Sequence, residues 1–229
     1  MREQVRHQAP AKLTLTLRVM GRRNDGYHLI DAEMTTLELA DELTFSAGEN
    51  ELAPEDLVSR ALVAVGRPEG VHVLVDKQIP VGAGLGGGSA DAAAVLRWAG
   101  CSDLEVAVGL GADVPFCLVG GRARVSGIGE VVEPLAVVEQ TFTLLTPPFP
   151  VWTPLVYRAW DAMGGPSSDG PNDLEPAALR VEPRLAEWRD RLGDATGHTP
   201  QLAGSGGTWF VEGDYPEVEG GVVTRTGRP

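Results

Sequence analysis

From Leu13 to Val19 apolar and polar positions alternate without a break: Leu13, Leu15, Leu17 and Val19 fall on one side, and Thr14, Thr16 and Arg18 on the other. A period of two is the pleat of a half-buried strand. The turn-rich run Gly21-Arg22-Arg23-Asn24-Asp25-Gly26 follows, Leu29 to Leu39 supplies a partner strand, and Glu42 to Ser46 is expected to be a third, so the chain opens with an antiparallel sheet. The period then changes. Pro54 suits a first helical position, and Leu57, Val58, Ala61, Leu62 and Val65 make one apolar face before Gly66 closes the helix. Val71, Val73 and Val75 alternate with His72, Leu74 and Asp76 in a further strand, which leads through Pro80 into a glycine-rich stretch. An alanine-rich helix is expected to start at Ser89 and to end at Gly100.

Ser102 with Glu105 three residues on reads as a capping box for another short helix, and Asp113 lies just beyond it. Strand patterns recur at Arg122 to Val125, Glu130 to Leu135 and Thr141 to Thr146, before Pro147-Pro148 breaks the chain. Thr153-Pro154 starts a helix to Met163, with Thr153 as its expected N-cap, and Asp173 to Leu192 is helical with an interruption at Pro183. Thr208 to Val211 and Gly221 to Thr226 are strand candidates. Helices and strands come in runs and not in regular alternation, which makes the class α+β. The length, 229 residues, suits two lobes sharing a cleft, residues 1–140 and residues 141–229.

Composition narrows the partners. With 43% hydrophobic and 22% charged residues the chain is an ordinary folded protein, and no internal repeat or low-complexity tract interrupts it. Its 19 basic and 32 acidic residues give a formal net charge of −13, which disfavours nucleic acid or an anionic membrane as partner. Any anionic ligand must be held locally. Cys101 and Cys117 form no disulfide framework or zinc spacing, so reduced cytosol fits best. MREQVRHQAP lacks the apolar core of an export signal, and no apolar run reaches the roughly 20 residues that span a bilayer; the expectation is a cytoplasmic protein.

Pro80-Val81-Gly82-Ala83-Gly84-Leu85-Gly86-Gly87-Gly88-Ser89 carries five glycines in seven positions, Gly82 to Gly88. Without Cβ atoms, consecutive amides can turn toward one anion, and a helix beginning there adds its unpaired N–H groups and positive end. A flexible turn before a helix is the plain alternative. The P-loop needs Lys before its Ser or Thr, and Gly88 stands there. Gly82, Gly84 and Gly87 do satisfy the dinucleotide pattern, with Glu105 at a plausible distance for a ribose, but antiparallel strands and Pro80 precede them.

With the glycine stretch go Ala9-Pro10-Ala11-Lys12-Leu13, Gly21-Arg22-Arg23 with Asp25-Gly26-Tyr27-His28, and Leu110-Gly111-Ala112-Asp113-Val114-Pro115-Phe116, and more weakly Asn172-Asp173-Leu174-Glu175 and Gly204-Ser205-Gly206-Gly207. In that order and spacing the chain resembles the GHMP kinases, and through Asp25-Gly26-Tyr27-His28 their 4-diphosphocytidyl-2-C-methyl-D-erythritol kinase branch. The likeness spans residues 9 to about 211. It implies a two-lobed GHMP kinase fold, with a ribosomal-protein-S5-like N-terminal lobe and a ferredoxin-like C-terminal lobe. It further implies ATP-dependent phosphorylation of the 2-hydroxyl of a small cytidine-diphosphate-linked alcohol, with Mg²⁺ as the ATP partner and a monomer or homodimer as the working unit.

Residue by residue, the resemblance assigns ATP to Pro80, Gly82, Gly84, Leu85, Gly86, Gly87, Gly88 and Ser89. Asp113 is the base, a role that chemistry alone gives to a carboxylate beside a substrate hydroxyl. Lys12 is its partner, an ammonium that offsets charge developing on the phosphate; a solvated edge-strand lysine is the alternative. Tyr27 and His28 recognise cytosine, by an aromatic face and an imidazole. Gly204 to Gly207 close over the site, and Arg22 and Arg23 read as turn charges. Thr14 and Asp56 stand where the family has Asn, and Trp152, where it has Ser, would offer a stacking face or fill space. Segments around Ala47 to Ala53, around Cys101 to Leu104 and after Phe210 are trimmed. Another GHMP kinase, a non-catalytic nucleotide binder of the same fold, and a dinucleotide-dependent oxidoreductase compete with this reading. Asp25-Gly26-Tyr27-His28 argues against the first, and Lys12 with Asp113 against the second.

Overall fold

The computed structural model describes residues 4–228. Met1, Arg2, Glu3 and Pro229 lie outside the described residues. The alternating run near the N-terminus is part of a longer strand, β1 (Val5–Arg22), paired antiparallel with β2 (His28–Ala47). No separate third strand occurs at Glu42 to Ser46; those residues continue β2, whose 20 residues outlast the sequence pattern because Asp41 and Glu42 interrupt the alternation without interrupting the ladder. The far edge of β2 is shared. Its first part pairs with β4 (Arg122–Gly127) and its last with β3 (Val71–Asp76), while β5 (Val131–Leu135) extends the sheet beyond β4.

Four helices cover one face. The alanines of α2 (Gly87–Trp98) explain its place: Ala90 to Leu96 are all buried, and only small side chains let a helix sit that close to its neighbours. The helix begins at Gly87, two residues before Ser89, because Gly86 takes the left-handed φ of +69° that lets the loop enter it. In α1 (Leu57–Ala64) the cap is Asp56, whose carboxylate accepts from the Val58 N–H at 2.8 Å, so Pro54 lies outside the helix. The cap of α3 (Leu104–Leu110) is Asp103, which accepts from the Glu105 N–H at 2.8 Å, and the Ser102 capping box does not form. Asp113 precedes the short α4 (Val114–Val119). Burial pushes the Cys117 thiol in α4 up to about 12, so it is a packing group.

A second antiparallel sheet, in the order β7 (Gln201–Leu202), β8 (Trp209–Glu212), β6 (Thr141–Leu145), β9 (Gly221–Arg225), carries α5 (Thr153–Ala162), α6 (Glu175–Val181) and α7 (Leu185–Thr196). The interruption at Pro183 separates α6 from α7 as its missing N–H requires. Trp152 occupies the cap position of α5; Thr153 is already helical, and its hydroxyl instead pairs with that of Ser205 at 2.7 Å. The two sheets are stitched together by Asn172 and Asp173. Asn172 Nδ2 donates to the Leu202 and Gly204 carbonyls, while Asp173 accepts from the Val19 and Ser168 N–H groups and from Arg18. Burial works to raise the Asp173 pKa, but those amide and guanidinium donors outweigh it and hold the carboxyl below its usual range. The class is α+β. Among the described residues no helix is long and apolar enough to cross a membrane.

Candidate active site

The glycine stretch, the first sheet, α5 and the loop at Gly204 and Ser205 line a cavity of about 1250 Å³, large for one small ligand and suited to two. The glycine stretch forms its floor. The first i→i−4 bond of α2 is Ala90 N–H to the Gly86 carbonyl at 2.8 Å, which leaves the Gly87, Gly88 and Ser89 amides at the N-terminus without intrahelical acceptors. All three residues line the cavity, as do Pro80, Gly82, Gly84 and Gly86. Leu85 does not. Its side chain is buried in the core, and its carbonyl accepts from the Lys12 N–H at 3.0 Å, so it seats the loop on β1 and does not face a ligand. The loop is equally fixed on the other side: the Thr208 N–H donates to the Ala83 carbonyl at 3.0 Å and the Val151 N–H to that of Gly82 at 3.2 Å.

Lys12 is no solvated edge residue. Register shifts on both sides of it, between Pro10 and Lys12 and between Thr14 and Thr16, re-aim the strand. Its stem packs on Gly86, where an added Cβ would lie 2.8 Å from the Lys12 Cγ. Its side chain is only 7% exposed, and the ammonium reaches the Asp113 carboxylate at 3.4 Å and donates to the Thr14 hydroxyl at 3.1 Å. Thr14 thus still serves the lysine as an acceptor. Asp113 makes no capping bond to α4, and its side chain, 35% exposed, lines the cavity.

Tyr27 and His28 line the same cavity, Tyr27 58% exposed and the His28 side chain sunk against α5. Three residues there were missed or misread in the sequence. Tyr157 stacks on His28, and burial followed by the Asp113 charge pushes its phenol up. An Asp161 carboxylate oxygen lies 2.8 Å from His28 Nε2. Arg22, taken as a turn charge, lines the cavity and pairs with Asp161 at 3.3 Å, whereas Arg23 does pair within the turn, with Asp25. The i, i+4 spacing of Tyr157 and Asp161 is the one sequence signal that joins them. Asp56 also lines the cavity, as do the exposed Leu74 and Val81, and Trp152 does not.

Beneath the loop sits a charged group the sequence did not single out. Lys77 donates to both Asp41 and Asp91, and Asp41 also accepts from the Gln78 and Ile79 amides at 2.6 and 2.8 Å. Asp91 is buried with its Oδ1 unpartnered. Its burial raises the pKa, the Lys77 ammonium opposes the rise and the Asp41 charge adds to it, leaving the carboxyl pushed up to about 7. A pKa raised on folding means that the native state holds a proton the unfolded chain releases, so stability is lost as pH rises from the ordinary 3.8 through about 7. Asp91→Asn removes that loss. Thermal unfolding across this range should show the variant gaining on the parent as pH climbs toward 7 and holding a constant offset above it; a flat difference would contradict the assignment.

The sequence and fold have known relatives. Residues 56–121 match the GHMP kinases N terminal domain. A 4-diphosphocytidyl-2-C-methyl-D-erythritol kinase from Paracoccus denitrificans is 36% identical over 90% of this chain and 85% of its own length. The enzyme of that name from Thermus thermophilus is 38% identical, over 91% and 88%. A crystal structure of 4-(cytidine 5'-diphospho)-2C-methyl-D-erythritol kinase superposes with a TM-score of 0.78 at 33% identity, covering 97% of this chain and 100% of that one. Homoserine kinase from Cytophaga hutchinsonii, at 16% identity and a TM-score of 0.65 over 100% of this chain and 96% of its own, shares the fold alone.

Proposed function

We propose, because the chain belongs to the 4-diphosphocytidyl-2-C-methyl-D-erythritol kinase family within the GHMP kinases, that it transfers the γ-phosphoryl group of ATP to the 2-hydroxyl of that cytidine-diphosphate-linked alcohol, a step of the non-mevalonate isoprenoid route. The observation that carries the chemistry is the Lys12–Asp113 contact at 3.4 Å, in one cavity with the glycine floor and with Tyr27 and His28. Asp113 accepts the proton of the hydroxyl as its oxygen attacks phosphorus. Lys12 offsets charge on the transferring group, and the free amides of Gly87, Gly88 and Ser89 hold the phosphates. The Ser89 hydroxyl and the Asp113 carboxylate are hard oxygen donors in that cavity and suit Mg²⁺ brought in on ATP, which when bound neutralises phosphate charge.

In this reading residues 1–140 carry the nucleotide floor and residues 141–229 close the cavity, in a cytoplasmic enzyme that works as a monomer or homodimer. An ADP-release assay with ATP and Mg²⁺ tests it, comparing the cytidine substrate with homoserine and mevalonate. Turnover on the cytidine substrate alone is the expected result. Turnover on another alcohol, with none on the cytidine compound, would discard the substrate and keep the kinase.

A further inference from the structure

Asn172 joins two pieces of the active site without touching the cavity between them. Its own segment is tied to β1, where the Leu17 N–H donates to the Pro171 carbonyl and the Asp173 N–H to that of Leu17, both at 2.9 Å, in a parallel bridge. That strand also carries Lys12, five residues earlier. At its other end Asn172 gives both Nδ2 hydrogens away, to the Leu202 carbonyl at 2.9 Å and the Gly204 carbonyl at 2.7 Å. Oδ1 accepts from the Leu174 N–H at 2.9 Å, so the whole amide is used. The residue is 2% exposed, and these bonds are made away from water.

Gly204 is where this tie reaches the chemistry. A Cβ added there would lie 3.5 Å from both Lys12 Nζ and Thr14 Oγ1, so the glycine backbone forms a wall against the ammonium. Gly86 packs on the lysine stem, and Asp113 lies 3.4 Å from the charge. A lysine is a point charge on a flexible four-carbon stem, so its surroundings and not its own structure fix where the charge sits. The other bonds of the 203–208 segment hold it to itself, to the glycine loop through the Thr208 N–H and to α5 through Ser205. Among the described residues, the hydrogen bonds that refer it to β1 run through Asn172.

We infer that Asn172 is a positioning residue for phosphoryl transfer: by fixing the Gly204 backbone relative to β1, it holds the Lys12 ammonium beside Asp113. The inference rests on the kinase reading above and adds to it a residue that does not line the cavity. A purely local role is the plain alternative, in which only the Oδ1 bond to the Leu174 N–H ahead of α6 matters.

The test uses the full chain with ATP, Mg²⁺ and the cytidine substrate, and reads the single-turnover rate, both KM values and Tm. Asn172→Ala should lower that rate about a hundredfold, the cost of a displacement on the order of 1 Å near reacting groups, with both KM values within about threefold of the parent. Asn172→Asp keeps an acceptor for the Leu174 N–H but has no hydrogens for the two carbonyls, and should lose as much; recovery to within about tenfold of the parent favours the local role and overturns this one. In a Lys12→Met background Asn172→Ala should cost no further rate, while its fall in Tm stays as large, because the two residues act on the reaction as one unit. A second hundredfold loss in that background, or an Asn172→Ala rate within about threefold of the parent, overturns the role. If Asn172→Ala does not fold, Asn172→Ser, with one hydrogen to give, carries the same cycle. A parent that phosphorylates a different alcohol overturns the substrate reading, and the same variants then decide the role on that alcohol. A parent that phosphorylates none overturns the kinase reading and this role with it.

Discussion

Asp113→Ala should lower kcat by about a thousandfold, inside the range of 10²–10⁴ that a positioned base contributes, while ATP binding is retained. The carboxylate lines the cavity, makes no cap bond and touches Lys12 at 3.4 Å, so its loss removes a chemical group and little structure. Among the described residues no other carboxylate pairs with the Lys12 ammonium. Asp113→Asn keeps the shape and should fall nearly as far, since an amide does not take the proton. Lys12→Met, which keeps most of the stem packed on Gly86, should also cost kcat by removing the charge opposite the transferring phosphate. Single-turnover phosphoryl transfer, alongside titration with a non-hydrolysable ATP analogue, separates the chemical step from binding. A folded Asp113→Ala protein that still turns over within tenfold of the parent would remove Asp113 as the base and leave the glycine floor without an acceptor-activating group.

Much of this was legible in the chain because it is local. The alternation at Leu13 to Val19, the glycine stretch and the Ala-rich helix behind it each reveal themselves within a dozen residues. What escaped was decided at a distance. Lys12 looks like an edge lysine until β1 bulges and Gly86 and Gly204 close over it, and no neighbouring residue announces that burial. The first helix starts at Leu57, three residues past the expected Pro54, and the α3 cap falls at Asp103, one past Ser102, a choice between nearby candidates that side-chain reach settles. Arg22, Asp161 and His28 lie 133 or more residues apart across their contacts in the chain, so the group exists only in the fold. Lys77, Asp41 and Asp91 are likewise three ordinary charges until β2, the end of β3 and α2 converge.

The glycine floor makes a second strong demand, at Gly84. Its φ is +78°, and a Cβ there would stand 2.4 Å from the Ala203 carbonyl oxygen and 2.7 Å from that of Gly206. Both obstacles are backbone, held by the Gly206 N–H to Ala203 and Thr208 N–H to Ala83 bonds, so neither can step aside as a side-chain tip would. Gly84→Ala must lift the loop from the 203–208 segment or push that segment away. A displacement on the order of 1 Å near reacting groups costs about 10²-fold in rate. The expected result is therefore a drop of about a hundredfold in kcat/KM for ATP, with a fall of several degrees in Tm. Gly100→Ala is the matched control: its φ is +72°, yet open space surrounds the new methyl group, and it sits at the far end of α2. That variant carries the same left-handed strain, about 1–2 kcal/mol, without the collision. If Gly84→Ala behaves no worse than Gly100→Ala in both stability and ATP use, close approach of the two segments is not what shapes the phosphate floor. If it loses activity while Gly100→Ala loses only stability, the contact between the loop and residues 203–208 is what holds the Gly87, Gly88 and Ser89 amides on the nucleotide.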